Sequence, residues 1–320
     1  MVYSTPLYAR GKTREIDMNI LEKQKRIRKL LDDNNAILLA HYYQPGEIQD
    51  IADILGDSLA LSMEAAETAA DVIVFAGVRF MAESASILSP KKTVLLPRPD
   101  AGCPLADTIT VEELKQAKAD HPDAGVVAYV NSSAEIKAHS DICCTSANAV
   151  RIVESTDADT VLMVPDGNLA RYTARFTEKK VIPWNGFCYV HNNLKPEEVR
   201  KAQAAHPGAP VAVHPECRPE VIAMADFVGS TGGILKFARE TDAQEVIIGT
   251  ERGIMHQLKK ESPGKTFIPA SDHLICRDMK RMTIDDILSA LLEMKHVVRV
   301  PEEIGEPARR ALSRMLKASK

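Results

Sequence analysis

Short apolar runs alternate with amphipathic stretches along most of the chain, and the alternation repeats three times. The three segments open at Ile37, Val126 and Val211 and can be laid over one another without gaps in their first halves. Each has a short apolar strand, a helical stretch, a second apolar strand, another helix and a last apolar strand. Apolar strands that alternate with helices and lack hairpin signals predict parallel sheets with crossover helices.

This pattern predicts an α/β protein with three pseudo-threefold-related domains. Each is predicted to be a three-layer α/β/α domain with a small parallel sheet, and the active site is predicted at the central domain interface. The predicted domains cover residues 20–104, 105–190 and 191–282. Residues 283–320 begin like the opening helix of another repeat, so we expect these C-terminal helices to pack back on the first domain.

Polar residues keep a common register in the three copies. In chain order they are a ring-bearing residue, a polar residue two positions later, an aspartate and a hydroxyl. These are His41, Tyr129 and His214; Tyr43, Asn131 and Glu216; Asp53, Asp141 and Asp226; and Ser58, Ser146 and Thr231. Because ligands bind at the carboxyl ends of parallel strands, the first two sets are predicted to ring one axial cavity. The hydroxyls are predicted to cap helices, whose N-termini would bind phosphate or carboxylate if they face that cavity.

One cysteine follows the last strand of each repeat. These cysteines are Cys103, Cys188 and Cys276, which lie eleven, eight and eleven residues after Lys92, Lys180 and Lys265. Cysteines at equivalent places in three pseudosymmetric domains can converge on the axis. Three thiolates suit a zinc ion with an open fourth position, or a [4Fe–4S] cluster in which one iron lacks a protein thiolate. The long spacing, with one ligand in each domain, favours the cluster.

The other cysteines, Cys143, Cys144 and Cys217, have no counterparts in the repeat. We therefore expect them to be buried thiols that behave as small hydrophobic residues, even though Cys217 stands beside His214 and Glu216. The competing interpretation of Cys103, Cys188 and Cys276 is that they are three unrelated buried thiols.

Composition narrows the classes of function. The 320 residues carry a net charge of −4, so no basic field indicates nucleic acid or anionic lipid as a partner. No apolar run approaches the roughly 18 residues of a membrane span, and the N-terminus lacks the apolar core of a signal peptide. Six cysteines are too few for a disulfide scaffold. These features predict a cytoplasmic protein.

Seven motifs are spread over residues 37 to 276: AHYYQ, DAGCP, YVNSSAEIKA, TSANA, PWNGFCYVH, VHPE and GSTGG. Through these motifs the sequence closely resembles one family, quinolinate synthase, the iron–sulfur enzyme of NAD biosynthesis. The resemblance implies condensation of iminoaspartate with dihydroxyacetone phosphate to give quinolinate, phosphate and water. It also implies a [4Fe–4S] cluster on Cys103, Cys188 and Cys276, with its open iron acting as a Lewis acid.

The resemblance further implies roles for the cavity residues. Catalytic roles fall on Tyr43, His191, His214 and Glu216. Substrate-binding roles fall on His41, Ser58, Tyr129, Asn131, Ser146, Ser230 and Thr231. The partners it implies are the two substrates and a transient contact with the aspartate-oxidising enzyme, without nucleic acid or membrane.

Two other functions share some of these features. A reductive dehydroxylase would also use one cysteine in each domain around an open-iron [4Fe–4S] cluster, but it would need a redox partner and a phosphorylated substrate. An iron-sensing or zinc-storing protein would need the cysteines but not Tyr43, His191 or Glu216.

Overall fold

A computed structural model describes residues 18–320, which form three small sheets with helices on their faces. The strands of the first sheet are β1 (Ala36–His41), β2 (Ile54–Gly56), β3 (Val72–Ala76) and β4 (Thr93–Leu95). Those of the second are β5 (Gly125–Tyr129), β6 (Ile142–Cys144), β7 (Thr160–Val164) and β8 (Lys180–Pro183). Those of the third are β9 (Val211–Val213), β10 (Phe227–Val228), β11 (Glu245–Gly249) and β12 (Thr266–Pro269). A last strand, β13 (Val297–Val298), joins the first sheet.

The helices before the third sheet are α1 (Ile20–Asp33), α2 (Gly46–Gln49), α3 (Ser58–Glu67), α4 (Arg79–Leu88), α5 (Val111–Asp120), α6 (Ala134–Ala138), α7 (Ala149–Glu154), α8 (Gly167–Thr173), α9 (Tyr189–Asn192) and α10 (Pro196–Ala205). The later ones are α11 (Pro219–Ile222), α12 (Thr231–Glu240), α13 (Ile254–Glu261), α14 (Ile284–Glu293) and α15 (Glu302–Ser319). Short 3₁₀ turns occupy Ala106–Thr108 and Ala174–Phe176. No helix among residues 18–320 is both long and apolar enough to cross a membrane.

The three sheets share one topology, which confirms the predicted α/β fold with small parallel sheets. In each sheet the second strand lies at the edge, followed by the first, third and fourth, and all these pairs are parallel. Strand β3 is buried along its whole length, as expected for a parallel strand covered on both faces. The sequence pattern missed the short edge strands β2, β6 and β10, because two or three residues give no readable periodicity.

The aspartates of the repeat hold the first strand of each sheet against its edge strand. Asp53 Oδ2 accepts a hydrogen bond from Leu38 N at 2.7 Å, and Asp141 and Asp226 make the same bond to Val126 N and Val211 N at 2.7 and 2.8 Å. These carboxylates satisfy an N–H that the short edge strand leaves unpaired. This requirement explains why aspartate recurs in one register.

The lysines of the repeat cap the carbonyl end of the helix before the second long strand. Lys92 donates to Thr68 O and Ala70 O, and Lys265 donates to Ala238 O and Thr241 O. In the second repeat the equivalent bond, to Thr156 O, comes from Lys179. The assignment of Lys180 was therefore wrong by one residue, because Lys180 is the first residue of β8.

The hydroxyls of the repeat do not cap their helices as predicted. Asp57 caps α3 and Ser230 caps α12, while Ser58 and Thr231 are the first helical residues. Ser146 lies in the turn before α7, whose N-cap residue makes no side-chain cap bond. The hydroxyls of Ser58, Ser146 and Thr231 are therefore not used in capping and can line a cavity.

The C-terminal segment contacts more than the first repeat. Helix α14 packs on α1, with Lys23 Nζ 2.7 Å from Asp285 Oδ1, and β13 pairs antiparallel with β4. Helix α15 lies against the first and the second repeats, since Arg309 Nε donates to Ile87 O and Arg314 donates to Asp141 O. The last helix thus joins the first two sheets.

Candidate active site

One cavity is lined by residues that follow strands of all three sheets. Every predicted site residue lines it except Ser230. The Ser230 hydroxyl accepts from Gly233 N and donates to Asp57 Oδ2 at 3.0 Å, so it is occupied in capping α12. Residues that the sequence reading did not single out also line the cavity: Asp57, Val78, Phe80, Gly102, Val190, Glu251 and Met279.

The first strands of the first and third sheets, β1 and β9, are followed by turns with the same hydrogen bond. Tyr43 N donates to His41 Nδ1 at 3.1 Å, and Glu216 N donates to His214 Nδ1 at 3.3 Å. Burial lowers the pKa of His41 and of His214 to about 3, so both rings are neutral at pH 7. A neutral ring whose Nδ1 accepts carries its proton on Nε2. His214 directs that nitrogen at Ser146 Oγ, 3.2 Å away.

Glu216 is a buried carboxylate that lies between two histidines. Its Oε2 lies 2.6 Å from His191 Nδ1 and 3.6 Å from His214 Nδ1. Burial opposes its charge, but the two histidines and hydrogen bonds from His191 and Tyr129 outweigh burial and lower the pKa of Glu216 to about 2. Burial, with the neighbouring Glu216 charge, raises the pKa of Asp166 well above its ordinary value. The negative charge therefore resides on Glu216.

Two buried acceptors of the cavity wall have no hydrogen-bond partner within residues 18–320. They are Glu216 Oε1 and Asn131 Oδ1, and both residues line the cavity. A buried acceptor without a donor costs about 1–3 kcal/mol, so each needs a donor or a cation from outside the protein. Both atoms mark places where a bound group can interact.

A chain of hydrogen bonds connects Tyr43 to His191 behind the cavity wall. Tyr43 Oη lies 2.6 Å from Thr250 Oγ1, and Thr250 Oγ1 lies 2.8 Å from His191 Nε2. Thr231 Oγ1 donates to Tyr43 Oη at 2.8 Å. Burial raises the pKa of Tyr43 well above its ordinary value, so its phenol stays protonated and can donate.

The three predicted ligand cysteines line the same cavity. Cys188 Sγ is 3.3 Å from His191 Nδ1, and Cys188, His191 and Glu216 place their ligand atoms within 4.8 Å of one another. These three residues form a candidate metal-binding group. Buried acidic side chains hold two of the cysteine loops, since Cys188 N donates to Asp166 Oδ2 and Cys276 N to Glu251 Oε1, both at 3.1 Å.

The cavity cysteines suit a metal centre better than they suit free thiolates. Burial raises the pKa of Cys103 to about 12 and raises those of Cys188 and Cys276. The cavity wall formed by residues 18–320 includes no lysine or arginine that would stabilise a thiolate. A soft metal ion supplies the missing positive charge, and thiolate sets favour iron–sulfur clusters and zinc. The donor set therefore fits a thiolate-held centre.

The remaining cysteines lie in the hydrophobic core. Cys143, Cys144 and Cys217 are buried and outside the cavity wall. The Cys217 thiol faces Gly249 O at 3.6 Å, although its neighbour Glu216 faces the cavity. This arrangement agrees with the interpretation of Cys217 as a small hydrophobic residue.

Comparison with known proteins decides the family. The profile described as NadA, Quinolinate synthetase A protein, matches residues 25–317. The chain is 56% identical over 293 residues to a quinolinate synthase of Methanoregula boonei, covering 92% of this chain and 97% of that protein. It is 57% identical over 290 residues to the quinolinate synthase of Geobacter sp. strain M21, covering 91% of this chain and 95% of that protein.

The chain belongs to the quinolinate synthase family. It is accordingly an enzyme of NAD biosynthesis, and the resemblance found in the sequence motifs is confirmed. "Quinolinate synthase 1" of Methanosarcina acetivorans is 54% identical over 292 residues, covering 91% of this chain and 96% of that protein. The family relationship thus extends over nearly the whole chain.

Sequence reasoning missed three site residues in this quinolinate synthase family member. Thr250, Glu251 and Asp166 all follow the third strand of their sheets, where the first repeat has Gly77 and Val78. The repeat alignment covered the apolar strands VIVFAG, TVLMVP and EVIIGT but stopped at their ends. Polar residues directly after those strands were the available signal, since that edge of a parallel sheet binds ligands.

Proposed function

We propose that this enzyme condenses iminoaspartate with dihydroxyacetone phosphate to form quinolinate, with loss of phosphate and water. The observation that carries the proposal is the cavity where one cysteine from each repeat meets neutral histidines and the ionised Glu216. A substrate pair with two carboxylates and a phosphate needs donors, and a ring closure with loss of water needs proton transfers. The cavity supplies both.

In this proposal Cys103, Cys188 and Cys276 hold a [4Fe–4S] cluster. The raised pKa of each thiol and the absence of cationic side chains from the described cavity wall support three soft ligands that bind metal with release of protons. With three thiolates for four irons, the bound cluster would supply one open iron as a Lewis acid that polarises a hydroxyl or carbonyl group.

The chain's own residues bind the substrates and move protons. His41 and His214, with Nε2 protonated, donate hydrogen bonds to carboxylate or phosphate oxygens, as do the hydroxyls of Ser58, Ser146 and Thr231. Asn131 Oδ1, which lacks a donor within the described chain, accepts from the nitrogen of iminoaspartate. Glu216 is the base because it is ionised and one of its oxygens is unpaired.

The remaining roles follow from neighbouring contacts. Tyr43 is the proton donor because its phenol stays protonated, and His191 orients Glu216 through the 2.6 Å bond. Tyr129 adds a hydrogen bond to Glu216, and Ser230 acts on the substrate site only through Asp57. We also propose domain limits at residues 20–104, 105–190 and 191–282, because each range contains the four parallel strands of one sheet.

We place the enzyme in the cytoplasm, which suits its six free thiols, together with transient contact with the aspartate-oxidising enzyme. The test is anaerobic purification followed by an assay in which an aspartate oxidase generates iminoaspartate in the presence of dihydroxyacetone phosphate. We expect quinolinate and phosphate in equal amounts, dependent on iron. Absence of quinolinate, with reduction of a diphosphate-bearing alcohol by a chemical reductant, would identify a reductive dehydroxylase instead.

A further inference from the structure

Glu251 is a buried acidic residue of the cavity wall whose side chain is fully occupied by other parts of the protein. Its Oε1 accepts from Cys276 N at 3.1 Å, and its Oε2 accepts from Gly253 N at 2.7 Å. Lys280 Nζ lies 2.8 Å from Oε1 and 2.9 Å from Oε2. These contacts use the acceptor sites of a carboxylate, so the role of Glu251 concerns the residues that it holds.

Lys280 joins this carboxylate to the turn that carries Tyr43, because its ammonium group also donates to Tyr43 O. Lys280 N donates to Cys276 O at 3.2 Å, so the lysine lies one turn after the proposed metal ligand. Gln44 adds a second bond across the same boundary, from its Nε2 to Met279 O at 3.0 Å. The loop of Cys276, in the third repeat, is thus fastened to the Tyr43 turn of the first repeat.

The equivalent position in the other repeats shows what Lys280 adds. Asp166 stands there in the second repeat and also accepts from the N–H of a proposed ligand, Cys188, at 3.1 Å, but its other oxygen accepts from a backbone N–H of helix α8. Val78 stands there in the first repeat and cannot accept a hydrogen bond. Among residues 18–320, only the third repeat places an acid of this register in an ion pair with a lysine. The ion pair is therefore a feature of one ligand loop and not a requirement of the repeated fold.

We propose that Glu251 and Lys280 are a positioning pair that holds Cys276 in place for metal binding and fixes the Tyr43 turn beside it. The inference rests on the proposed function, because it takes Cys276 as a metal ligand. A loop that is held in its bound conformation before the metal arrives has less freedom to lose on binding. Residues that hold metal ligands from behind typically contribute about 10- to 100-fold to metal affinity.

Three variants test the pair, and a fourth is the control. Lys280→Met removes the cation and leaves the Glu251 carboxylate buried without its counter-ion, which is strongly unfavourable. Glu251→Gln is milder, because the side chain of Lys280 is 29% exposed and can turn to solvent. The double variant leaves neither charge. The control is Lys23→Met, which breaks the ion pair with Asp285 between helices α1 and α14, outside the cavity wall.

The first readout is the rate at which a chelator removes iron from the reconstituted full-length enzyme. We expect Lys280→Met to lose iron about 10- to 100-fold faster than wild type, and Glu251→Gln to show a smaller increase. The double variant should retain iron better than Lys280→Met, since no charge is left buried alone. Lys23→Met should behave like wild type. Wild-type iron retention in Lys280→Met would overturn the proposal, as would a double variant that loses iron faster than Lys280→Met.

The second readout depends on neither metal nor activity. Hydrogen exchange of the iron-free full-length chain is compared in residues 270–280 and 185–192, the loops of Cys276 and Cys188. Lys280→Met should speed exchange in the first loop about 10-fold or more and leave the second unchanged, with β1 still protected as proof of folding. Glu251→Gln should show the same pattern to a smaller extent, which provides the test if Lys280→Met does not fold.

The outcomes separate this pair from the proposed function. Unchanged exchange in the Cys276 loop would overturn the positioning role, and equal loosening of both cysteine loops would do so too, because the effect would then be a general loss of stability. Wild-type enzyme that forms no quinolinate, with the Cys276 loop loosened selectively in Lys280→Met, would count against the proposed function alone.

Discussion

The turns that follow strands β1 and β9 share one hydrogen-bond pattern but carry different side chains. In both, a backbone N–H two residues after a buried histidine donates to its Nδ1, which leaves a neutral ring with Nε2 as donor. The residue at that second position is Tyr43 in the first turn and Glu216 in the third. Burial keeps the tyrosine protonated, and the neighbouring donors keep the glutamate ionised.

The two turns show which features the repeats have in common and which features differ between them. Repetition supplies the strand order, the aspartate that holds the first strand, and the histidine turn. Differences at one equivalent position supply an acid and a base that face one cavity. The second repeat, with Tyr129 and Asn131 in these places, adds an uncharged donor and an uncharged acceptor.

Removing a proposed metal ligand should have the largest effect. Cys188→Ala should abolish iron binding, the brown chromophore and quinolinate formation, because two thiolates cannot hold the cluster. Cys217→Ala is the matched control, since Cys217 lies in the third turn beside Glu216 but points into the core. The two variants are compared by iron and sulfide content after anaerobic purification. A cluster retained in Cys188→Ala and lost in Cys217→Ala would refute the assignment.

Removing the charge of Glu216, in the turn after strand β9, should have the next largest effect. Glu216→Gln keeps the shape and loses the basic oxygen, so single-turnover quinolinate formation should fall by about 10²-fold or more, with iron content unchanged. Glu220→Gln, a surface change in the following helix, serves as the control and should leave the rate near that of wild type. A near wild-type rate for Glu216→Gln would leave Glu216 a structural residue.

Protonation of the buried turn histidines, His41 and His214, should destabilise the folded state in acid. Burial lowers the pKa of His214 to about 3 in the folded state, from about 6.5 when unfolded. The unfolded state therefore binds the proton first, and stability falls as pH drops below about 6.5. Between pH 7 and pH 5 the free energy of unfolding should fall by about 2 kcal/mol less in His214→Asn than in wild type. Urea unfolding at both pH values measures this difference, and equal pH dependence would mean that His214 is charged in the folded state.

The smallest effect should come from the scaffold that the repeats share. Asp226→Ala leaves Val211 N without its partner and should cost about 1 kcal/mol of stability with little change in turnover. Asp226→Asn retains an acceptor oxygen and should cost less. Thermal unfolding of the two variants gives the comparison, and a large loss of turnover in either would place Asp226 in the chemistry instead.

The sequence predicted those parts of the structure that depend on repeated patterns. Apolar strands in register predicted three parallel sheets, and the register of the repeats predicted twelve of the cavity-lining residues. His191, a thirteenth, came from the family resemblance alone. It did not predict contacts that depend on three-dimensional proximity alone. Thr250 joins Tyr43 to His191 across 207 and 59 residues of sequence, and a lone threonine after a strand carries no periodic signal.

Local corrections followed from geometry that patterns do not encode. The choice between Lys179 and Lys180 depends on which side chain reaches the helix end, and adjacent lysines look alike in sequence. The helix caps shifted by one residue because Asp57 and Ser230 are themselves good caps. Strand β13 has only two residues and pairs antiparallel, which a search for parallel repeats does not detect.

The central claim is that three thiolates, one from each repeat, hold a [4Fe–4S] cluster and leave one iron open to substrate. Mössbauer spectroscopy of the ⁵⁷Fe-loaded enzyme, with and without quinolinate, tests it most directly. We predict four irons per chain, one of which changes its isomer shift and quadrupole splitting when quinolinate is added. Four irons that do not respond to saturating quinolinate, or a stable zinc site without iron, would contradict the claim.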